Sequence, residues 1–197
     1  MLIILIILLA VAAVVGLLAS PATTWGSVLF AFSMYFLGLI YALFGFLILN
    51  GKKLKSKAIR EMSFNQAFFA AMTGWGIGTI IIGILFKFQF WPGANVLLVV
   101  GLIWVIVLLI VDVYLAVKDE NSKVLAKNAI IHGAIALILG ILVATMSYDH
   151  VIRFMVKDKN DEKVLIGKYY DWMKTKDQTL RDDFDRTYSD VMKKQHH

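Results

Sequence analysis

Five apolar stretches, each near the length of a membrane crossing and joined by short polar connectors, constrain this chain more than anything else in its sequence. A hydrocarbon core about 30 Å thick takes about 20 helical residues to cross. The runs fall at 1–19, 27–49, 68–88, 96–117 and 129–146. Of the 197 residues, 59% are hydrophobic and 17% charged, too few polar groups to cover a soluble domain of this size. Lipid has no such requirement, because the outward-facing positions must themselves be apolar. The predicted fold is therefore all-α, a polytopic transmembrane helical bundle of about five spans (1–146) followed by a short helical tail (147–197).

The charges set an orientation. Lys52, Lys53, Lys55, Lys57 and Arg60 lie between the second and third runs, and Lys118, Lys123 and Lys127 between the fourth and fifth. The connectors of the opposite face have only Lys87 beside them. Such asymmetry over short loops places the basic connectors in the cytoplasm, with the N-terminus cytoplasmic and the tail periplasmic, in a bacterial inner membrane. Trp25, Phe90 and Trp91 fall where an aromatic belt at the outer interface is expected. The net charge of +6 sits mainly in the Lys52–Arg60 cluster, which reads as contact with anionic phospholipid rather than with nucleic acid. No Lys or Arg precedes Lys52, so the first run lacks the basic start of a secretory signal and reads as a retained helix.

Small residues recur every four positions in three runs: Ala12, Gly16 and Ser20; Ala70, Gly74 and Gly78; Ala136, Gly140 and Ala144. Each set makes a shallow stripe along one helix face, where another backbone can come close, within the protein or from a partner. In the tail, eleven basic residues balance ten acidic ones. Leu165, Tyr169 and Trp172, then Leu180, Phe184, Tyr188 and Val191, recur at helical spacing. They predict two amphipathic helices, with Thr175 or Asp177 capping the second, whose apolar faces rest on the membrane surface, the bundle or another subunit. His196 and His197 are assigned no role.

The absence of cysteine excludes disulfides, thiolate catalysis, iron–sulfur clusters and cysteine-ligated zinc. No hydrolase, nucleotide-loop or metal motif is present, so no catalytic residue, cofactor or metal ligand is predicted, and the chain reads as a non-enzyme. Two ionisable residues stand inside the apolar runs at matching depth, Asp112 in the fourth and His132 in the fifth. They form a candidate polar pair. It either pins two antiparallel helices in register or responds to protons, since imidazole titrates near neutrality. Lys87, near the outer end of the third run, reads as a lysine that snorkels towards the outer leaflet.

One segment has a relative. Gly74-Trp75-Gly76-Ile77-Gly78, then Gly83-Ile84-Leu85-Phe86-Lys87, Trp91-Pro92-Gly93-Ala94 and Gly101-Leu102 follow one another across the third and fourth runs. This order resembles the membrane hairpin of the GldL-like family, the motor subunit of gliding motility and type IX secretion in Bacteroidota. The resemblance implies a helical hairpin whose turn faces outward, agreeing with the charge count, and it matches Lys87 to the family's membrane lysine. The family's motor glutamate falls on Val105, so motor activity does not carry over, and Asp112, seven residues later, is no obvious substitute. The remaining runs and the tail have no counterpart in that hairpin. The leading expectation is a non-enzymatic subunit of a multi-subunit inner-membrane complex linked to envelope energy transduction or secretion, with other membrane subunits as partners. The rivals are a proton-coupled motor or transporter component using Asp112, His132 and Lys87, and a small lipid-modifying enzyme.

Overall fold

The computed structural model describes residues 2–20, 24–50, 63–118, 120–156 and 158–194. The lysine cluster at Lys52, Lys53, Lys55, Lys57 and Arg60 lies outside them, as do His196 and His197. In chain order the helices are α1 (Leu2–Ala19), α2 (Thr24–Leu49), α3 (Phe64–Phe88), α4 (Ala94–Lys118), a 3-10 turn (Glu120–Ser122), α5 (Lys123–Thr145), α6 (Tyr148–Met155), α7 (Lys159–Thr175) and α8 (Gln178–Lys194). Helix is the form in which a lone segment can cross lipid with its backbone hydrogen bonds satisfied internally. Four of these, α2 to α5, are long and apolar enough to cross a membrane. With 18 residues, α1 spans about 27 Å and stops just short of that length. Helices α3 to α5 start before the apolar runs do, because polar residues cap and extend them. Ser63 and Gln66 close a reciprocal capping box that begins α3 well ahead of Phe68.

The chain divides into two compact units, one comprising residues 1–10 and 33–145 and the other 11–32 and 146–197. At the centre of the first is α3, a helix with glycines on two faces. Gly74 faces α2: a Cβ there would lie 2.6 Å from the Tyr41 carbonyl oxygen and 2.7 Å from the Gly45 Cα. One turn on, a Cβ on Gly78 would lie 2.8 Å from the Gly38 carbonyl oxygen. The other face meets α4, where a Cβ on Gly76 would strike Trp104 and Val105 at 2.8 Å, and Gly101 of α4 lies against the Ile80 backbone. Helix α5 closes the group, with Gly140 against Ile80 and Leu102 and Gly133 against Leu109. Of its stripe, Ala136 and Gly140 are buried and Ala144 is half-buried. Near the ends of α2, α3 and α5, Leu49, Ala70, Leu125 and Ala129 form a shared apolar cluster.

The turn from α3 to α4 is a Schellman cap without glycine. The Trp91 N–H donates to the Phe86 carbonyl at 2.9 Å and the Phe90 N–H to the Lys87 carbonyl at 3.3 Å. Phe90 occupies the left-handed position (φ 55°), which costs a bulky residue about 1–2 kcal/mol. Its ring is buried rather than in an aromatic belt, because the cap turns it inward. The Trp91 and Phe86 rings meet edge-on at 4.8 Å across the cap, and Trp91, like Trp25, is exposed.

In the second unit, Gly16 of α1 lies against the Phe30 and Gly26 backbone of α2, and the Ser20 hydroxyl reaches the Met155 sulfur of α6 at 3.2 Å. The two tail helices turn their apolar faces on each other. Tyr169 of α7 meets Phe184 of α8 edge-on at 5.7 Å, Tyr148 adds its ring at 4.7 Å, and Leu165, Trp172 and Val191 are buried. Arg181 stacks its guanidinium 4.4 Å over Trp172 while bonding Asp185. Asp158 caps α7 and Asp177 caps α8, the latter accepting from the Thr179 N–H at 2.7 Å. Burial pushes the Tyr188 hydroxyl up to about 12.

Two measurements test these accounts. Gly74→Ala is expected to destabilise the detergent-solubilised protein by about 1–3 kcal/mol, since backbone blocks its Cβ. Gly167→Ala, in a helix interior with nothing within 4 Å of the new methyl, should stabilise it by about 0.5–1 kcal/mol. Equal thermal shifts for the two variants would contradict the close approach of α2 and α3. The second concerns acid. Asp158 is held below the usual carboxylate range by the Asp161 and Asn160 N–H groups, and Asp177 by the Thr179 hydroxyl and N–H. Folded values lowered in this way contribute stability that is complete above the unfolded value of about 3.9 and is lost as pH falls through the folded one. Helicity of the tail should therefore decline below about pH 4, and circular dichroism that stays unchanged well into that range would refute the caps.

Candidate functional site

Two hydrogen-bonded polar pairs occupy one layer of the first unit, and neighbouring residues of α3 fix their common level. Thr73 points to α4, where its hydroxyl donates to the Asp112 Oδ2 at 2.9 Å. Gly74, the next residue, lies against the carbonyl of Tyr41 in α2. The Tyr41 hydroxyl in turn meets the His132 Nδ1 of α5 at 2.6 Å, the two rings packing at 63°. Four helices thus contribute one polar group each. Asp112 stands six residues before the end of α4, about 9 Å inside it.

The sequence analysis treats Asp112 and His132 as one pair, whereas the structure gives each its own partner. Among the described residues no ion pair joins them, and His132 is turned towards α2. The reason is rotational: the Leu109–Gly133 contact sets how α4 and α5 face each other, and Asp112 is left looking at α3. Thr73 and Tyr41 are the residues that sequence reasoning missed. A usable signal was present for Thr73, a hydroxyl beside the Gly74 stripe and three residues from Gly76, hence on the α4 side of α3. Nothing in the sequence singles out Tyr41 among the aromatics of α2.

Asp112 is fully buried, and its second oxygen, Oδ1, has no hydrogen-bond partner among the described residues. Towards the end where α4 stops and α5 starts, buried amides stand beside the apolar cluster of Leu49, Ala70, Leu125 and Ala129. The Asn50 side chain donates to the Phe46 and Gln66 carbonyls there, and Asn128 donates to the Leu49 carbonyl. In the other direction the interior is sealed by Ile77, Ile80, Leu98 and Val105, all at 2% exposure or less.

Lys87 lies at the far end of α3. Instead of snorkelling outward it is 2% exposed, and its Nζ donates to the Asn95 Oδ1 of α4 at 2.7 Å. The Phe90 cap folds the chain back sharply enough to bring Asn95 over it. The Asp112–Thr73 bond generates a test. Thr73→Val leaves a buried carboxyl with neither oxygen bonded and is expected to cost about 1–3 kcal/mol. Asp112→Asn keeps an acceptor for Thr73 and should cost less. Thermal denaturation in detergent ranks the two, and the reverse order would contradict the bond.

No curated protein and no solved structure matches the chain. A family model does match part of it, over residues 72–124, which take in most of α3, the Phe90 cap, all of α4, the 3-10 turn and the first residues of α5. That stretch, which holds Thr73, Lys87, Val105 and Asp112 within a multi-pass helical membrane protein, is similar to the GldL N-terminal domain.

Proposed function

We propose that this chain is a non-enzymatic subunit of a multi-subunit bacterial inner-membrane complex linked to secretion or energy transduction across the envelope. The observation that carries the reading is the match of the α3–α4 hairpin to the GldL N-terminal domain, combined with the residue at its buried seam. Where the resemblance calls for the motor carboxylate, Val105 is wholly buried, and it packs so close to Gly76 that even a methyl there would overlap its Cγ2. A helical hairpin built for packing is retained, and the charged group at that position is not. Gliding or type IX secretion machinery supplies the setting, and other membrane subunits are the partners.

The orientation in this reading is that of the charge count, with the basic connectors and N-terminus cytoplasmic and the tail periplasmic. The Lys52–Arg60 cluster then meets anionic phospholipid on the cytoplasmic leaflet. The periplasmic hairpin of α7 and α8 buries Leu165, Tyr169, Trp172 and Phe184 and leaves Val164, Tyr170 and its charged residues as the surface a partner would meet. Against a motor or transporter component stands the spacing of the polar groups. Lys87 is fourteen residues beyond Thr73 on α3, about 21 Å, with aliphatic residues between. His132 is committed to Tyr41.

Extraction in a mild detergent, native affinity purification and mass spectrometry test the proposal. At least one further membrane protein is expected in stoichiometric amount, and a lone 22.1 kDa monomer would refute it. Cysteine labelling at Lys55 and Trp91 should report opposite faces of the membrane, and labelling from a single face would refute the orientation.

A further inference from the structure

We propose that Asp112 is a one-sided proton-binding site, its carboxyl exchanging a proton with water only at the end of the bundle where α4 stops and α5 starts. The inference goes beyond the subunit reading and does not depend on it.

The argument starts from the second oxygen. A residue needed only to hold α3 and α4 in register requires one acceptor for the Thr73 hydroxyl, and an amide or a hydroxyl would supply that. Asp112 brings two oxygens into a fully buried position, and Oδ1 has no partner among the described residues. A charge taken out of water without a counter-ion costs far more than a neutral polar group that lacks one hydrogen bond. The group can therefore meet its surroundings in two ways. As the acid it is uncharged, with one O–H unmet. As the carboxylate it must be reached by water.

The neighbours leave the exchange to water. On α3 the sole ionisable residue is Lys87, about 21 Å further along the helix. On α5, His132 is held by Tyr41, while Lys123 and Lys127 are exposed. Glu120 of the 3-10 turn is exposed and paired with Lys123, and Lys118 of α4 lies over the Tyr114 ring. No described cation or base stands ready to compensate Asp112 in place.

Direction follows from the asymmetry of the packing. Asp112 lies about 9 Å along α4 from the helix end, where exposed Lys118 and the polar side chains of Asn50, Gln66 and Asn128 stand beside the apolar cluster of Leu49, Ala70, Leu125 and Ala129, so this is the shorter way out. Beyond Asp112 the close contacts of Gly76, Gly101 and Ile80, with buried Val105, Leu98 and Ile77, leave no polar step towards Lys87. A hydronium ion that reaches the site gives its proton to the carboxylate and leaves as water, and the proton returns by the same route. The site senses the pH of one compartment and conducts to neither.

Dicyclohexylcarbodiimide, which adds to a membrane-buried carboxylic acid to give a stable N-acylurea, is the probe. The full chain is labelled in native membranes and mapped by peptide mass spectrometry. An adduct on Asp112 is expected, its yield falling as the pH is raised and unaffected by sodium. It should vanish in Asp112→Asn and return in Asp112→Glu. In sealed vesicles its yield should follow the pH on the side bearing the α4–α5 turn. Three results would each overturn the proposal: an unlabelled Asp112 in protein that migrates as folded, protection by sodium, or dependence on the pH of the opposite side. None of them bears on copurification of partners, so failure here is distinguishable from failure of the subunit reading.

Discussion

The close approach of α2 and α4 to the two faces of α3 is the constraint on which the first unit depends. Lipid gives packed helices no hydrophobic advantage over dispersed ones, so association rests on van der Waals contact and a few hydrogen bonds. Both weaken steeply with distance. Gly74 against Gly45 on one side, and Gly76 and Gly101 beside Val105 and Ile80 on the other, remove the side chains that would hold the backbones apart. The small-residue stripe at Ala70, Gly74 and Gly78 thus lies against a helix of this same chain.

That proximity creates the polar layer. A threonine hydroxyl is short, and it reaches Asp112 only because α4 lies hard against α3. The Tyr41 hydroxyl reaches His132 because Gly74 lets α2 settle inward. Hydrogen bonds between helices are worth little each in a membrane, about 0.6 kcal/mol on average. Their effect here is on register and rotation more than on total stability. A one-residue rotation of α4 would carry Asp112 out of reach of Thr73 and into lipid.

The tail is built by a different rule, on caps, ion pairs and an aromatic seam. Its helices are marked by caps at Asp158 and Asp177, stitched by Lys168–Asp183 and Lys194–Asp161, and closed over an aromatic seam. Two amphipathic helices of seventeen residues joined by a short turn can cover each other. An isolated amphipathic helix would have to find a membrane or a partner. The pairing of Tyr169 with Phe184 covers part of that apolar surface within the chain.

Helix content and the apolar lengths of the spans were fixed by sequence alone, because both follow from local composition and from the cost of an unpaired backbone group in hydrocarbon. The glycine stripes, the hairpin around Lys87 and the presence of an ionisable group at Asp112 were legible for the same reason: each depends on residues within a few turns of one another. What faces what was not. Whether Asp112 looks at His132 or at Thr73 depends on the rotation of α4 about its axis, and whether Lys87 snorkels or is covered depends on how tightly Phe90 turns the chain. Helices that are apolar all round carry little sequence signal for rotation, so only the packed bundle, through the shapes of Gly76, Val105, Leu109 and Gly133, decided it.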